Sequence, residues 1–239
     1  MDLRVSVVTV QQRAAEKLRA ALFAGIFQPG DRLIEADLCS RLGVSRSSLR
    51  EALRTLEAEH LVTIVPNKGP SVSTVEWHDA DDIYRVRALL EGEAAAQFAK
   101  RATAKEIRRM NAALRAFREA DKMGNVVGRL SSTSDFYDVI MQGCGNRIIE
   151  SVLQRLVARI TFLRAKSMSQ AGRAKYSAQE MKQILKAIES RDASGARSAA
   201  SKHIENARRA ARAAYQSMNL KEPGSPHAGK RGKPMRQKT

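Results

Sequence analysis

Val44–Leu56, VSRSSLREALRTL, lays two patterns on one helix. Ser45 suits an N-cap, since its hydroxyl accepts from the free N–H groups of a first helical turn. Leu49, Ala52, Leu53 and Leu56 recur at i, i+3, i+4 and i+7, giving one apolar face. Arg46, Arg50 and Arg54 recur at i, i+4 and i+8 on another face. Such a helix is either a solvated surface helix or a reader of nucleic acid. An arginine fork fits guanine O6 and N7 in the major groove, or clamps a phosphate. The flanking sequence separates the two readings.

Upstream, Thr9 to Ala24 reads as a helix with Ala14, Ala15, Leu18, Ala21 and Leu22 on one stripe, and Pro29-Gly30 makes a turn. A short helix follows from about Glu35 to Leu42, and Gly43 stops it by taking a left-handed cap. Two short helices joined across so tight a glycine-containing turn form a helix-turn-helix. Downstream, His60 and Leu61 end the third helix. Leu61–Val65 and Ser71–Val75 then flank Pro66-Asn67-Lys68-Gly69-Pro70, which predicts a hairpin, or wing, with a basic tip. Asn67, Lys68 and Gly69 at that tip suit a minor groove or the phosphates; the alternative is an ordinary polar turn.

The whole chain is basic, with 42 Lys and Arg against 25 Asp and Glu, a net charge of +17 and a pI near 10.5. That favours a polyanionic partner, most often nucleic acid. Yet residues 1–75 hold 10 basic and 8 acidic side chains (+2), residues 76–218 hold 26 and 16 (+10), and the remainder 6 and 1 (+5). Charge therefore does not locate the reading surface; the helix pattern does. Cys39 and Cys144 fit no metal or disulfide spacing, as in a reduced compartment. No signal-peptide pattern and no apolar run near ~18 residues occurs, so a cytoplasmic protein without a membrane partner is expected.

From Asp79 the pattern is helical throughout. Asp79 is expected to cap a helix to Arg101, with Ile83, Val86, Leu90, Ala94 and Phe98 inward. Thr103 with Glu106 forms a capping box for the next helix, and Val126 to Gln142 is a third. Gly143-Cys144-Gly145-Asn146 breaks the chain. Arg147 to Ser167 is amphipathic through Ile149, Val152, Leu153, Leu156, Val157 and Ile160. Ser177 with Glu180 reads as a second capping box, and Asp192 caps a last helix to Met218. The fold expected is mainly α: a winged helix-turn-helix (1–76), an antiparallel six-helix bundle with room for a pocket (77–218), and a basic disordered tail (219–239) poor in groups to bury.

Residues 11–75 resemble the winged helix-turn-helix of GntR-family bacterial transcription regulators. The likeness rests on the P-G-D-R-L turn at 29–33, the L-G-V-S-R turn at 42–46, the R-E-A-L-R helix at 50–54 and the glycine-bearing wing. It carries the family's DNA contacts to Ser45, Arg46 and Arg50 and to the Asn67-Lys68-Gly69 tip; Ser47 and Arg54 of the same helix join them as candidates. Ala36 stands where some fatty-acid-responsive members place a contacting arginine, and Pro70 follows the wing glycine where an ordinary residue is usual. Residues 80–215 resemble the effector (FCD) domain of the FadR-like subfamily through IYRVRALLEGEAA (83–95), SDFYDVIMQGCGN (134–146) and KAIESRDASGARSAASKHI (186–204). Six helices point to the vanillate-regulator type. This resemblance implies a homodimer on a palindromic double-stranded DNA operator, controlled by a small-molecule effector, commonly an organic acid.

Many members of that subfamily hold a divalent metal with one Asp and three His. Here the matching positions are Thr133, Tyr137, Met181 and His203, so only one imidazole is kept, and neither metal nor cofactor is expected. An effector would instead meet hydrogen-bonding groups and cations: Arg87, Thr133, Tyr137, Asn146 and His203 are the candidates. For Arg87 the alternative is an interhelical salt bridge with Glu91 or Glu93, for Asn146 a helix cap, and for His203 a structural hydrogen bond. No nucleophile motif, Walker loop or paired catalytic carboxylates point to an enzyme. The leading reading is an effector-controlled DNA-binding regulator, most simply a repressor; the alternative is a constitutive, ligand-independent DNA-binding protein.

Overall fold

A computed structural model describes residues 9–74 and 76–219. Val75, and the tail read over 219–239 beyond its first residue, lie outside the described residues. Side-chain caps set the first helices. Thr9 accepts from the Gln12 amide and Gln12 returns the bond to the Thr9 amide, starting α1 (Val10–Phe23). Helix α2 (Glu35–Leu42) ends at Gly43 with φ of 67°, and α3 (Arg46–Ala58) starts at Ser45, whose hydroxyl accepts from the Ser48 amide. Leu49, Ala52, Leu53 and Leu56 are all buried. Helix α3 stops before His60 and Leu61, because His60 takes a positive φ of 59° and the Leu61 amide closes the turn on the Leu56 carbonyl.

Strands β1 (Val62–Val65) and β2 (Gly69–Val72) pair antiparallel, with Val65 opposite Gly69. The second strand thus begins at Gly69, two residues earlier than the turn pattern predicts. Asn67 takes a φ of 64° and reverses the chain within Pro66–Lys68, which frees Gly69 and Pro70 for the ladder. The Pro70 carbonyl accepts from the Leu33 amide, and residues 30–33 run along β2 as its other neighbour. The missing Pro70 N–H therefore does not interrupt the pairing with β1.

Six further helices form the bundle among the described residues: α4 (Trp77–Arg101), α5 (Ala104–Lys122), α6 (Val126–Gly143), α7 (Arg147–Met168), α8 (Arg173–Glu189) and α9 (Ala193–Asn219). The fold is mainly α, a winged helix-turn-helix followed by an antiparallel helical bundle. The Thr103–Glu106 capping box forms, Asn146 caps α7, and Asp192 accepts from the Gly195 amide at the start of α9. None of the described helices is long and apolar enough to cross a membrane.

Three expectations are corrected. Helix α4 starts at Trp77, two residues before Asp79, because the Trp77 ring packs edge-on against Tyr215 at 5.5 Å; Asp79 lies in its first turn. Helix α8 starts at Arg173 after left-handed Gly172, so Ser177 and Glu180 are inside it. Glu180 turns to Arg173 on its own helix and to His203 and Asn206 on α9, partners that replace the capping role. Val86, Val152 and Val157 face outward. On α4 the inward stripe runs Ile83, Tyr84, Arg87, Glu91, Ala94 and Phe98, so two charged residues hold positions that hydropathy assigns to the apolar neighbours.

The winged module packs on Leu18, Leu22, Leu38, Leu49, Leu53, Leu56 and Val72, and Ala158 of α7 joins that cluster from the bundle. Phe23 touches this core and the bundle's core together. Gly43→Ala has space for its methyl group but forces an L side chain into the left-handed region. It is expected to cost about 1 kcal/mol, read as a lower urea midpoint with an unchanged m-value.

Candidate nucleic-acid interface and bundle cluster

Because α3 buries its leucine face, Arg46, Ser47, Arg50 and Arg54 stand exposed on its outer side. The hydroxyls of Ser45, Ser47 and Ser48 join at 2.9 and 3.0 Å at the helix N-terminus, where the amide dipoles favour an anion. A groove of about 540 Å³ runs between this helix and the wing, lined by Arg32, Glu35, Arg50, Arg54, Asn67 and Lys68 among others, with Gly69 beside them. The structure thus brings Arg50 and Arg54 together with all three tip residues. Pro70 is buried beneath the tip, which anchors the wing.

Two members of the groove escaped the sequence reading. Arg32 is exposed in the segment that bridges to Ser71, and Glu35 receives Arg50 through a fork, Nε to the carboxylate at 3.1 and 3.3 Å and Nη2 at 3.1 Å. A long-range bridge from Arg32 to Ser71 brings Arg32 there, and its local sequence carries no strand signal. The Glu35 fork holds Arg50 in one geometry and raises its pKa. Arg54 pairs with Glu51 at 2.7 Å. Both pairs are exposed, where such bonds exchange readily for a phosphate.

The second site lies inside the bundle. Arg87 is wholly buried, and its Nε donates to Glu91 Oε1 at 2.7 Å on the same helix. The salt bridge is therefore intrahelical, at i and i+4, rather than interhelical. Arg164 of α7 and Arg173 of α8 are buried beside this pair. The Arg164 guanidinium lies over the Tyr137 ring at 4.8 Å, and Arg87 over Tyr84 at 5.2 Å. Tyr137 is 5.9 Å from the His203 ring, and His203 Nδ1 bonds Glu180 Oε2 at 2.7 Å. That carboxylate also accepts from Arg173 at 2.8 Å.

Of the sequence candidates, Arg87, Tyr137 and His203 come together here. Thr133 is buried too, but its hydroxyl donates to the Arg129 carbonyl at 2.7 Å. The Asn146 side-chain oxygen accepts from the Ile148 and Ile149 amides, engaged as a helix cap. Glu91, Arg164 and Arg173 complete the cluster and lie outside the sequence candidates, because a charged residue within an apolar helix pattern reads as solvated; Ser177, which the sequence pattern assigns to a helix cap, is buried on α8 one turn after Arg173. Burial moves their chemistry. It pushes the Tyr84 phenol up to about 12 and the Tyr137 phenol up further. Burial also holds His203 below the ordinary 6.5, against the raising bond from Glu180. The Glu180 carboxyl is pushed up by burial, but His203 and Arg173 outweigh this and hold it low.

The divalent-metal arrangement of related bundles does not fit these residues. His203 Nδ1 is already bonded, Thr133 and Tyr137 supply neutral hydroxyls, Met181 a thioether, and guanidiniums repel a cation. No group of three or more His, Cys, Asp or Glu is placed to hold a metal ion among the described residues. Instead the cluster presents buried polar atoms without hydrogen-bond partners among the described residues: Arg87 Nη1 and Nη2, Arg164 Nε, Arg173 Nε and Nη1, Tyr137 Oη, Ser177 Oγ and Glu91 Oε2. Such orphaned donors are costly in a closed core, and a bound acceptor would satisfy them.

Two family models match along the chain. The model for bacterial regulatory proteins of the gntR family matches residues 10–72, and the FCD domain model matches residues 82–206. The uncharacterized HTH-type transcriptional regulator YdhC of Bacillus subtilis is 26% identical over 189 residues, 79% of this chain and 83% of that one. The Nta operon transcriptional regulator of Aminobacter aminovorans is 34% identical over 141 residues, 58% of this chain and 65% of that one. Among solved structures, E. coli McbR/YncC superposes with a TM-score of 0.74 at 22% identity, covering 89% of this chain and 100% of that one. That likeness shows the shared fold.

Two outcomes follow for the cluster. Tyr137→Phe removes an unpartnered buried hydroxyl without changing ring volume, and is expected to stabilise the ligand-free protein by roughly 1 kcal/mol, seen as a raised melting midpoint. His203 binds its proton less readily folded than unfolded, so its contribution is full above about 6.5 and falls as the pH drops toward its lowered folded value. His203→Gln should flatten the loss of stability as the pH falls below about 6.5, measured by denaturant titrations at each pH.

Proposed function

Because the chain belongs to the GntR family of bacterial regulatory proteins and carries an FCD domain, we propose that it is a repressor whose hold on its operator is set by an organic acid bound in the bundle. The observation that carries the reading is the pairing of an exposed arginine helix and basic wing around one groove with a closed, under-satisfied cationic cluster in the bundle. Relatives named as transcriptional regulators, rather than enzymes, support it.

The division of labour is a reading module over 1–76 and a control module over 77–218. In the reader, Ser45, Arg46 and Ser47 at the start of α3 meet the major groove and its phosphates, Arg50 and Arg54 continue along it, and Asn67, Lys68 and Gly69 follow the adjacent backbone. Two copies read a palindrome through an isologous dimer. The exposed apolar residues Val86 and Leu89 on α4 offer a face for the second copy. The six-helix bundle supports the vanillate-regulator type within the family.

Coupling has a physical route. Ala158 of α7 packs in the winged module's core, while Arg164 of the same helix reaches the bundle cluster. A cleft of about 1100 Å³ separates the modules, lined by α1, the end of α3, α6 and α7. Arg19 and Glu59 tie α1 to the end of α3 along it, at 2.8 and 2.5 Å. A ligand that resets α7 biases how the two readers sit, and binds the DNA-incompetent arrangement better.

The test is binding to the duplex upstream of the chain's own gene beside random duplex, across salt. Wild type is expected to prefer a palindrome. Arg46→Ala should lose about 1–3 kcal/mol of specific binding while its random-duplex affinity changes little, and Arg50→Ala should lose the preference. Equal binding of all duplexes with a steep salt slope would overturn the reading and favour sequence-blind phosphate binding.

A further inference from the structure

Three guanidiniums enter the bundle interior against few carboxylates. Arg87, Arg164 and Arg173 are each less than a tenth exposed. Glu91 faces Arg87 at 2.7 Å, and Glu180, about one-fifth exposed, faces Arg173 at 2.8 Å. That leaves one positive charge in excess, and burial disfavours a further one on His203. Asp138, half-buried near Arg164, lies at the edge of the cluster, its carboxyl pushed above the usual range by burial and by Asp135, with Arg164 opposing. The excess is thus one charge at most. Two buried anions would exceed it, and a neutral ligand would leave it uncompensated.

The unpartnered atoms define the ligand further. Five guanidinium nitrogens and the hydroxyls of Tyr137 and Ser177 are buried donors in want of an acceptor. A carboxylate offers about four lone-pair sites, fewer than these donors fill. Glu91 Oε2 is the converse, a buried acceptor in want of a donor. A ligand hydroxyl serves both needs, accepting from a guanidinium or from Ser177 and donating to Glu91. The Tyr137 and Tyr84 rings lie under the Arg164 and Arg87 guanidiniums and hold them in place.

We propose that this cluster binds a hydroxylated monocarboxylate directly on Arg87, Arg164 and Arg173, with Tyr137 and Ser177 as neutral donors and Glu91 accepting from the ligand hydroxyl. This rests on the effector reading above and replaces the metal bridge of related bundles by arginines. The ligand class is thereby separated from di- and tricarboxylates, from phosphate and from unsubstituted fatty acids.

The test uses the full chain in EDTA-treated buffer, with melting shifts and calorimetric titration. The probes are glycerate, threonate and gluconate; propionate, butyrate and hexanoate; malate and citrate; inorganic phosphate; and glycerol. The hydroxylated monocarboxylates should give the largest shift, and added zinc or manganese should leave their affinity unchanged. Arg164→Gln and, with unchanged ring volume, Tyr137→Phe should each weaken the best of them about tenfold or more. Tighter binding of malate, citrate or phosphate, a requirement for metal, equal binding of the unsubstituted acids, or no binding by any hydroxylated monocarboxylate would each overturn the proposal. Operator binding is measured in parallel. An anion of another class that releases the operator leaves the effector reading standing and defeats this one; specific operator binding that no probe shifts counts against both.

Discussion

The bundle is organised around a buried charge that it only partly satisfies. Arg87 is the largest fully buried side chain, and Glu91 meets one of its nitrogens. Removing an ion from water costs far more than one hydrogen bond returns, so the surrounding helices must bring compensation from elsewhere. They bring two aromatic rings and a carboxylate–histidine–arginine relay, but they also bring two more guanidiniums. A core made for stability alone would place aliphatic side chains here. The arrangement makes sense if the missing partner is an anion that comes and goes, with stability given up in its absence.

The reading surface follows a different rule. Its charged groups are exposed, paired loosely within the module, and mounted on a helix whose other face is wholly buried. The Glu35 carboxylate holds the Arg50 fork at the groove that both residues line. Rigidity comes from the leucine face and from the Ser45 and Gly43 ends of the turn, while the arginines remain free to exchange partners. Helix α7 belongs to both systems. Ala158 and Arg164 lie six residues apart on it (164 minus 158), about 9 Å along the axis, one in the reader's core and the other in the cluster.

Much of the reader was legible in the sequence because its signals are local. Thr9, Ser45 and Gly43 mark ends, and the spacing of Leu49, Ala52, Leu53 and Leu56 fixes a face. The wing was displaced by two residues because the left-handed Asn67 shortens the turn, a backbone choice that composition does not specify. In the bundle the helices were legible and the interior was not. Val86 was assigned inward and Arg87 left between two readings, since periodicity ranks a valine above an arginine. Ser177 and Glu180 match a helix start, yet Glu180 finds Arg173 on its own helix and His203 and Asn206 on α9. Arg164 and Arg173 carry no local mark of burial at all.

The central claim is that the bundle cluster and the DNA surface are thermodynamically linked. Linkage is reciprocal: a ligand that weakens the operator must itself bind more weakly to the operator-bound protein, by the same factor. The direct measurement is the ligand's affinity for the full chain, with and without a saturating specific duplex. The account predicts that the loss of ligand affinity on the duplex equals the loss of operator affinity at saturating ligand, and that a random duplex at the same salt leaves it unchanged. An affinity that is the same with and without operator would contradict it and leave the cluster and the reader as independent sites.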